Sequence, residues 1–225
     1  MAEQLSLHAP LKSADKIVKA LSGIIKNKSG RLLLDATTFT HEQLLILVKY
    51  IDYLKKRNET AVSVEVVYTG AKAYSVNTAK KNMWLSRGVL EVRPVVGYSG
   101  NFSIGKPNQL IMLVGFEHER AKAVIEHIEP SALCLGVGHK QQSISEELAD
   151  TNQYFFQKLQ EFVRSIGAIH SDVQDFEFSC VDPMATAQKI LEVARFDTHN
   201  VIVCPMNTKI STLGVALAAF ERPEI

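Results

Sequence analysis

The stretch "QLIMLVGF", residues 109–116, is apolar at nearly every position. A strand with one wet face alternates apolar and polar residues. A strand that does not alternate must be buried on both faces, the situation of a parallel sheet with helices above and below it. The same character recurs in "RLLLD", "SALCLGVG" and "NVIVCP", and each run leads into a polar corner and then a helix-like segment. Strand, corner and helix repeated in this order predict an α/β chain, because parallel neighbours need a crossover that a helix supplies.

Along the chain, residues 13–25 carry Ile17, Val18, Leu21, Ile24 and Ile25 at helical spacing. "RLLLDATTF" reads as a strand with a polar end at Asp35. Thr40 and Gln43 form a candidate capping box for a helix over 41–56, and "AVSVEVVYT" completes a βαβ unit. Residues 72–84 read either as a loop or as an irregular helix. "GVLEVRPVV" reads as a third strand running into the loop "GYSGNFSIGKPNQ", whose Tyr98, Asn101, Phe102 and Lys106 suit a lid, a partner-facing loop or a plain crossover.

A second unit follows: the strand at 109–116, a helix over 119–128, the strand "SALCLGVG", a helix from 145 or 146 to 165, and a strand within "AIHSDVQDFEFSCVDP". Asp182 and Pro183 make an N-cap and first-turn proline for the next helix. "DTHNVIVCPM" is the last strand, followed by a small-residue helix in which Gly214 and Ala216 to Ala219 permit close helix-to-sheet packing. The expected fold is a three-layer Rossmann-like α/β domain with a mostly parallel sheet. It is preceded by a smaller α/β lobe, with a boundary near residue 100 (1–100 and 101–225), or is one continuous domain. The chain stops after a helix at "AAFERPEI", where an α/β fold ordinarily runs into another strand, so either this is a fragment or the last strand is dispensed with.

Composition narrows the classes. Twenty-five basic residues against 24 acidic ones leave a formal charge of +1, which gives no support for a general nucleic-acid or membrane coat. The basic "TAKKNMW", with Lys80, Lys81 and Trp84, is the one short stretch suited to nucleic acid, and it equally suits a solvated turn. No apolar run reaches about 18 residues, and the start lacks a signal-peptide core. Cys134, Cys180 and Cys204 sit in or beside apolar runs with no C-x2-C pair, as expected of reduced core thiols in a cytoplasmic protein. Neither G-x-x-x-x-G-K-[ST] nor G-x-G-x-x-G occurs, so ATP hydrolysis by a P-loop and the dinucleotide fingerprint are unsupported, and no motif names a cofactor.

Ligands of open parallel sheets bind beyond the carboxyl ends of the strands, where helix N-termini also point. The polar residues expected there are the candidates. Lys209, with Asn207, Thr208 and Ser211, could meet a phosphate or carboxylate; alternatively Asn207 caps the helix and Lys209 faces water. In "GFEHER", Glu117 and Arg120 could hold a ribose hydroxyl and a phosphate, and Glu117 with His118 could serve as an acid–base or nucleophilic pair. The same residues also suit local ion pairs in a helix's first turn. Asp35, with Thr37 and Thr38 beside it, could orient a sugar or coordinate a hydrated magnesium ion, or Asp35 could make an Asx or N-terminal capping interaction without any ligand. His118, His139 and Glu117 lack the spacing of a metal motif, and no metal is assigned.

The segment "VIVCPMNTKISTLGVALAAF" resembles the late strand, Thr-Lys loop and small-residue helix of CRISPR-associated Rossmann-fold sensor domains from bacterial defence systems, with Thr208-Lys209 matching the Thr-Lys step. The resemblance covers mainly 109–220. Met206 and Asn207 stand where that family has glycines, and "VGFEHER" replaces its small first-strand turn. The resemblance implies a regulatory domain, commonly a homodimer, that binds a nucleotide signal and passes the event to an effector, here in antiviral defence. The expected function is therefore a sensory module for a nucleotide-like or phosphate-bearing ligand, with Asp35, Thr38, Glu117, Arg120, Asn207, Thr208 and Lys209 as its contacts. A nucleotide- or nucleoside-processing enzyme using Glu117 and His118, and a structural subunit of a larger complex, are the competing expectations.

Overall fold

A computed structural model describes residues 10–71, 89–166 and 172–225. The chain divides into two compact units, Met1–Thr69 with Pro94–Ser99, and Gly70–Arg93 with Gly100–Ile225. All strands in both pair in parallel, so the α/β class expected from the apolar runs is the observed one.

The first unit holds helix α1 (Pro10–Ile25), strand β1 (Ser29–Asp35), helix α2 (His41–Lys56) and strand β2 (Ala61–Val67). Thr40 accepts from the Gln43 backbone N–H at 3.1 Å while Gln43 Oε1 accepts from Thr40 N–H at 3.0 Å, so the capping box forms and α2 begins where its sequence predicts. Leu44, Leu47, Ile51 and Leu54 are buried, as are Leu21 and Ile25 of α1. Strands β1 and β2 pair from Ser29 opposite Ala61 to Asp35 opposite Val67.

The expected strand "GVLEVRPVV" does not form. Residues 89–97 adopt no strand, and Tyr98 N–H closes a turn onto the Val95 carbonyl at 2.8 Å. Pro94 lacks a donor, and the segment from Pro94 to Ser99 instead lies on α2: the Tyr98 hydroxyl donates to the Leu45 carbonyl at 3.1 Å, and Lys49 sits 5.0 Å above its ring. The readings of residues 72–84, and of Lys80, Lys81 and Trp84 within them, lie outside the described residues.

The second unit contains β3 (Asn108–Leu113), α3 (His118–Ile128), β4 (Ala132–Gly138), α4 (Glu146–Ile166), β5 (Val173–Phe178), α5 (Pro183–Val193), β6 (Asn200–Pro205) and α6 (Lys209–Glu221). Its sheet runs β5-β4-β3-β6. Central β3 is apolar on both sides because both sides are covered. Leu110 and Met112, with Leu133 and Leu135 of β4, pack on Ile125 of α3 and Phe156 and Leu159 of α4. Ile111 and Leu113 pack on Ile190 of α5 and on Val215 and Ala218 of α6. Helices α3 and α4 thus form one outer layer and α5 and α6 the other.

The small residues of α6 serve a purpose slightly different from the expected one. A Cβ on Gly214 would lie 2.8 Å from the Pro183 carbonyl oxygen and 2.7 Å from Thr186 Cβ, so this glycine admits close contact with α5, not with the sheet. Asp182 caps α5 as its sequence predicts, accepting from Met184 and Ala185 N–H at 2.8 and 3.1 Å.

The three thiols are free cysteines, and burial pushes Cys180 up to about 12 and Cys204 up to about 11. Thiolate, not thiol, reacts with alkylating agents. Native protein at neutral pH is therefore expected to resist iodoacetamide until it unfolds; modification of Cys180 as fast as in denaturant would contradict its placement.

Candidate functional site

Numbered in the order the chain lays them down within the second unit, its strands run 3-2-1-4, the order of a Rossmann half-sheet. The chain leaves β3 in one direction to build β4 and β5, then returns to place β6 on the other side of β3. The helices that follow β3 and β6 therefore depart on opposite faces, and in sheets of this order a crevice lies between two such strand ends. This topological switch point is where sheets of this kind bind ligands.

The crevice floor is made by two crossing loops. A Cβ on Gly115 would overlap the carbonyl oxygen of Met206, so the loop after β3 passes the loop after β6 at a separation only glycine allows. Met206 N–H donates to Leu113 at 3.1 Å and Asn207 Nδ2 donates to the Val114 carbonyl at 2.7 Å. Asn207 Oδ1 accepts from Thr208 N–H at 2.9 Å and lies 3.3 Å from Cys180 Sγ. The Asn207 amide, expected to contact a ligand or to cap the helix, is spent holding the ends of β3, β5 and β6 together. Thr208 is the N-cap instead: its hydroxyl accepts from Ser211 N–H at 3.1 Å and donates to the Cys180 carbonyl at 3.0 Å.

Lys209 is the first residue of α6, whose first turn contains no acidic side chain. It is partly buried, and among the described residues it makes no hydrogen bond or ion pair. Desolvation, and secondly the positive charge of Arg120, hold its ammonium below the ordinary 10.5. The two cations therefore feel each other across the crevice. Arg120 is itself engaged, donating from Nη1 to Glu117 Oε2 at 2.6 Å. Glu117, Arg120 and Lys209 are thus brought into one neighbourhood by β3 and β6.

His118 has different partners. Its ring stacks on Phe155 of α4 with centroids 5.4 Å apart, and its Nε2 lies 3.0 Å from Glu119 Oε1. Burial lowers its pKa more than Glu119 raises it. Glu117 is bonded to Arg120, while the neighbouring His118 is held by Phe155 and Glu119. Glu119 in turn accepts from Lys122 at 2.8 Å.

Asp35 and Thr38 belong to the first unit. Asp35 Oδ1 accepts from Thr37 N–H at 2.9 Å, and hydrogen bonding by Thr37 lowers its pKa, so it forms the Asx turn that was its alternative reading. Thr38 beside it is exposed. Among the described residues no cluster of three or more His, Cys, Asp or Glu side chains could hold a metal ion. His139 lies 3.8 Å from Glu177, and its Nδ1 is buried with no hydrogen-bond partner among the described residues.

Sequence reasoning missed Asn152. It stands on the apolar stripe of α4 and is 3% exposed. Its Nδ2 donates to the Val114 carbonyl at 2.8 Å, and its Oδ1 accepts from Gly138 N–H at 2.9 Å, which locks the ends of β3 and β4. An asparagine one turn after Leu148 and one turn before Phe156, on a face otherwise apolar, was the available signal.

A scan against protein-family models, a search of curated proteins and a search of solved structures each find no match to this chain. No described helix is long and apolar enough to cross a membrane.

Proposed function

We propose that the second unit binds a phosphate-bearing, nucleotide-like ligand at the crevice between β3 and β6, and that it acts as a regulatory or sensory module. The observation that carries this reading is Lys209, a partly buried ammonium without an anionic partner among the described residues, at the uncompensated N-terminus of α6 and within electrostatic reach of Arg120. Burial and the nearby charge of Arg120 both disfavour the Lys209 ammonium, and a phosphate beside it relieves that cost. The first turn of α6 adds its dipole, whereas α3 already carries Glu117 and Glu119 at its start. Glu117 would accept a sugar hydroxyl while orienting Arg120. Thr208 and Asn207 shape the corner. The resemblance to CRISPR-associated Rossmann-fold sensors supplies the regulatory half of the reading, and with it a homodimer acting on an effector in antiviral defence.

Calorimetric titration with AMP, ADP, ATP and inorganic phosphate tests this. Saturable nucleotide binding is expected, weakened about 10- to 100-fold by Lys209→Ala and by Arg120→Ala, the loss of a charge-assisted hydrogen bond. No binding by the intact chain, or binding unchanged in both variants, would sink the assignment.

The pH dependence has a definite sign. Only protonated Lys209 attracts the anion, so its contribution is present below its folded pKa and is lost as pH rises through that value, which lies below 10.5. Affinity is expected to fall on the alkaline side in wild type and to stay level in Lys209→Arg, whose guanidinium does not titrate there.

A further inference from the structure

The outermost strand of the second sheet, β5, borders a groove of about 510 Å³ that lies away from the β3–β6 crevice. Phe176, Phe178, Ala185 and Val193 contribute apolar lining, and Lys189 of α5 stands on its far wall. Strand β5 pairs only with β4 among the described residues. The Asp172 and Phe178 carbonyls accept from Leu133 and His139 N–H at 3.0 and 2.9 Å, so the backbone groups of even-numbered residues face β4. Those of Val173, Asp175 and Glu177 therefore point away from the sheet, a row of donors and acceptors able to take another strand.

The charge along this edge selects the occupant. Asp175 accepts from neutral Gln160 at 2.6 Å, and the Glu177 side chain is 63% exposed with His139 Nε2 3.8 Å away. Lys189 is neutralised by Glu192 at 2.6 Å. The edge is thus acidic, and the groove beside it mixes its apolar lining with the polar side chains of Gln142, Gln174 and Ser179. Pairing of β5 with β5 of a second copy would set these carboxylates against each other, and like charges opposite one another oppose pairing.

We infer that the β5 edge and the β5–α5 groove accept an extended segment of another protein by strand addition, with basic residues at alternate positions facing Asp175 and Glu177 and apolar residues between them entering the groove. Side chains of an added strand alternate faces, which is why one segment satisfies both surfaces.

Fluorescence anisotropy on the intact chain with a labelled Lys-Val-Lys-Val-Lys-Val peptide tests the inference. Expected is saturable binding, weakened at least about tenfold by N-methylation of the peptide backbone, because strand addition needs its N–H groups. The double variant Asp175→Lys, Glu177→Lys should reverse the preference toward a Glu-Val-Glu-Val-Glu-Val peptide, with circular dichroism confirming its fold. Absence of saturable binding, indifference to N-methylation, or an unchanged preference in a folded variant would overturn it; the first outcome would make the two acids a guard against strand addition.

Discussion

Gly115→Ala is expected to lower the thermal midpoint by about 6–12 °C, following a cost of about 3 kcal/mol. The added methyl would overlap the carbonyl oxygen of Met206, a backbone atom that cannot rotate aside as a side chain would. Met206 is held by its own N–H on Leu113 at 3.1 Å, and the neighbouring Asn207 by its amide on Val114 at 2.7 Å, so relief requires breaking one of these bonds or moving a strand end. Gly105→Ala is the matched control, because a Cβ there meets nothing within 4 Å. Melting curves followed by circular dichroism should separate the two variants clearly. Coincident curves for Gly115→Ala and wild type would show that the two loops do not cross as described.

Asn152→Ala is expected to cost about 2–4 kcal/mol, from one orphaned buried donor and the space left by the amide. The Val114 carbonyl keeps Asn207 at 2.7 Å, so the group stranded is Gly138 N–H. Its amide hydrogen should exchange faster in the variant than in wild type. Asn152→Asp separates the two roles of the side chain. A carboxylate still accepts from Gly138 but faces the Val114 and Gly115 carbonyls, 2.8 and 3.4 Å from the present Nδ2. Burial beside carbonyl oxygens favours the protonated acid, so its folded pKa should lie above the unfolded value of about 3.9. Relative to wild type, stability of this variant should then be greatest in acid and fall as pH rises above that value. A flat profile, with Asn152→Ala as stable as wild type, would remove Asn152 from the architecture of the crevice.

The elements of the fold were legible where local chemistry decides them. Unbroken apolar runs gave β3 and β4, Thr40 with Gln43 gave the start of α2, and Asp182 with Pro183 gave the start of α5. "GVLEVRPVV" misled because its valines suit a strand as well as a turn lying on α2, and a sequence contains no record of which surface waits for them. The candidate site divides similarly. Polar residues at strand ends could be enumerated, but the proximity of Arg120 and Lys209 depends on β6 lying beside β3 instead of beyond β5, a matter of strand order. The engagement of Asn207 and the requirement for Gly115 follow from the same crossing. Neither has a local sequence signature.

The strand order also sets a schedule. The crevice joins Val114 to Asn207 across 93 residues, while β3, β4 and β5 are successive neighbours linked by single helices. During synthesis the chain can lay down β3, α3, β4, α4 and β5 as a growing parallel stack before any part of β6 exists. Until β6 emerges, the far edge of β3 lacks the partner it has in the finished sheet, and Leu113 and Val114 lack the donors that Met206 and Asn207 later bring. Closing so long a loop is slow relative to forming the preceding hairpin-free repeats. The proposed anion site would therefore be the last feature the unit assembles, and a nascent or partly unfolded chain that had already buried most of its first-laid strands would still lack it.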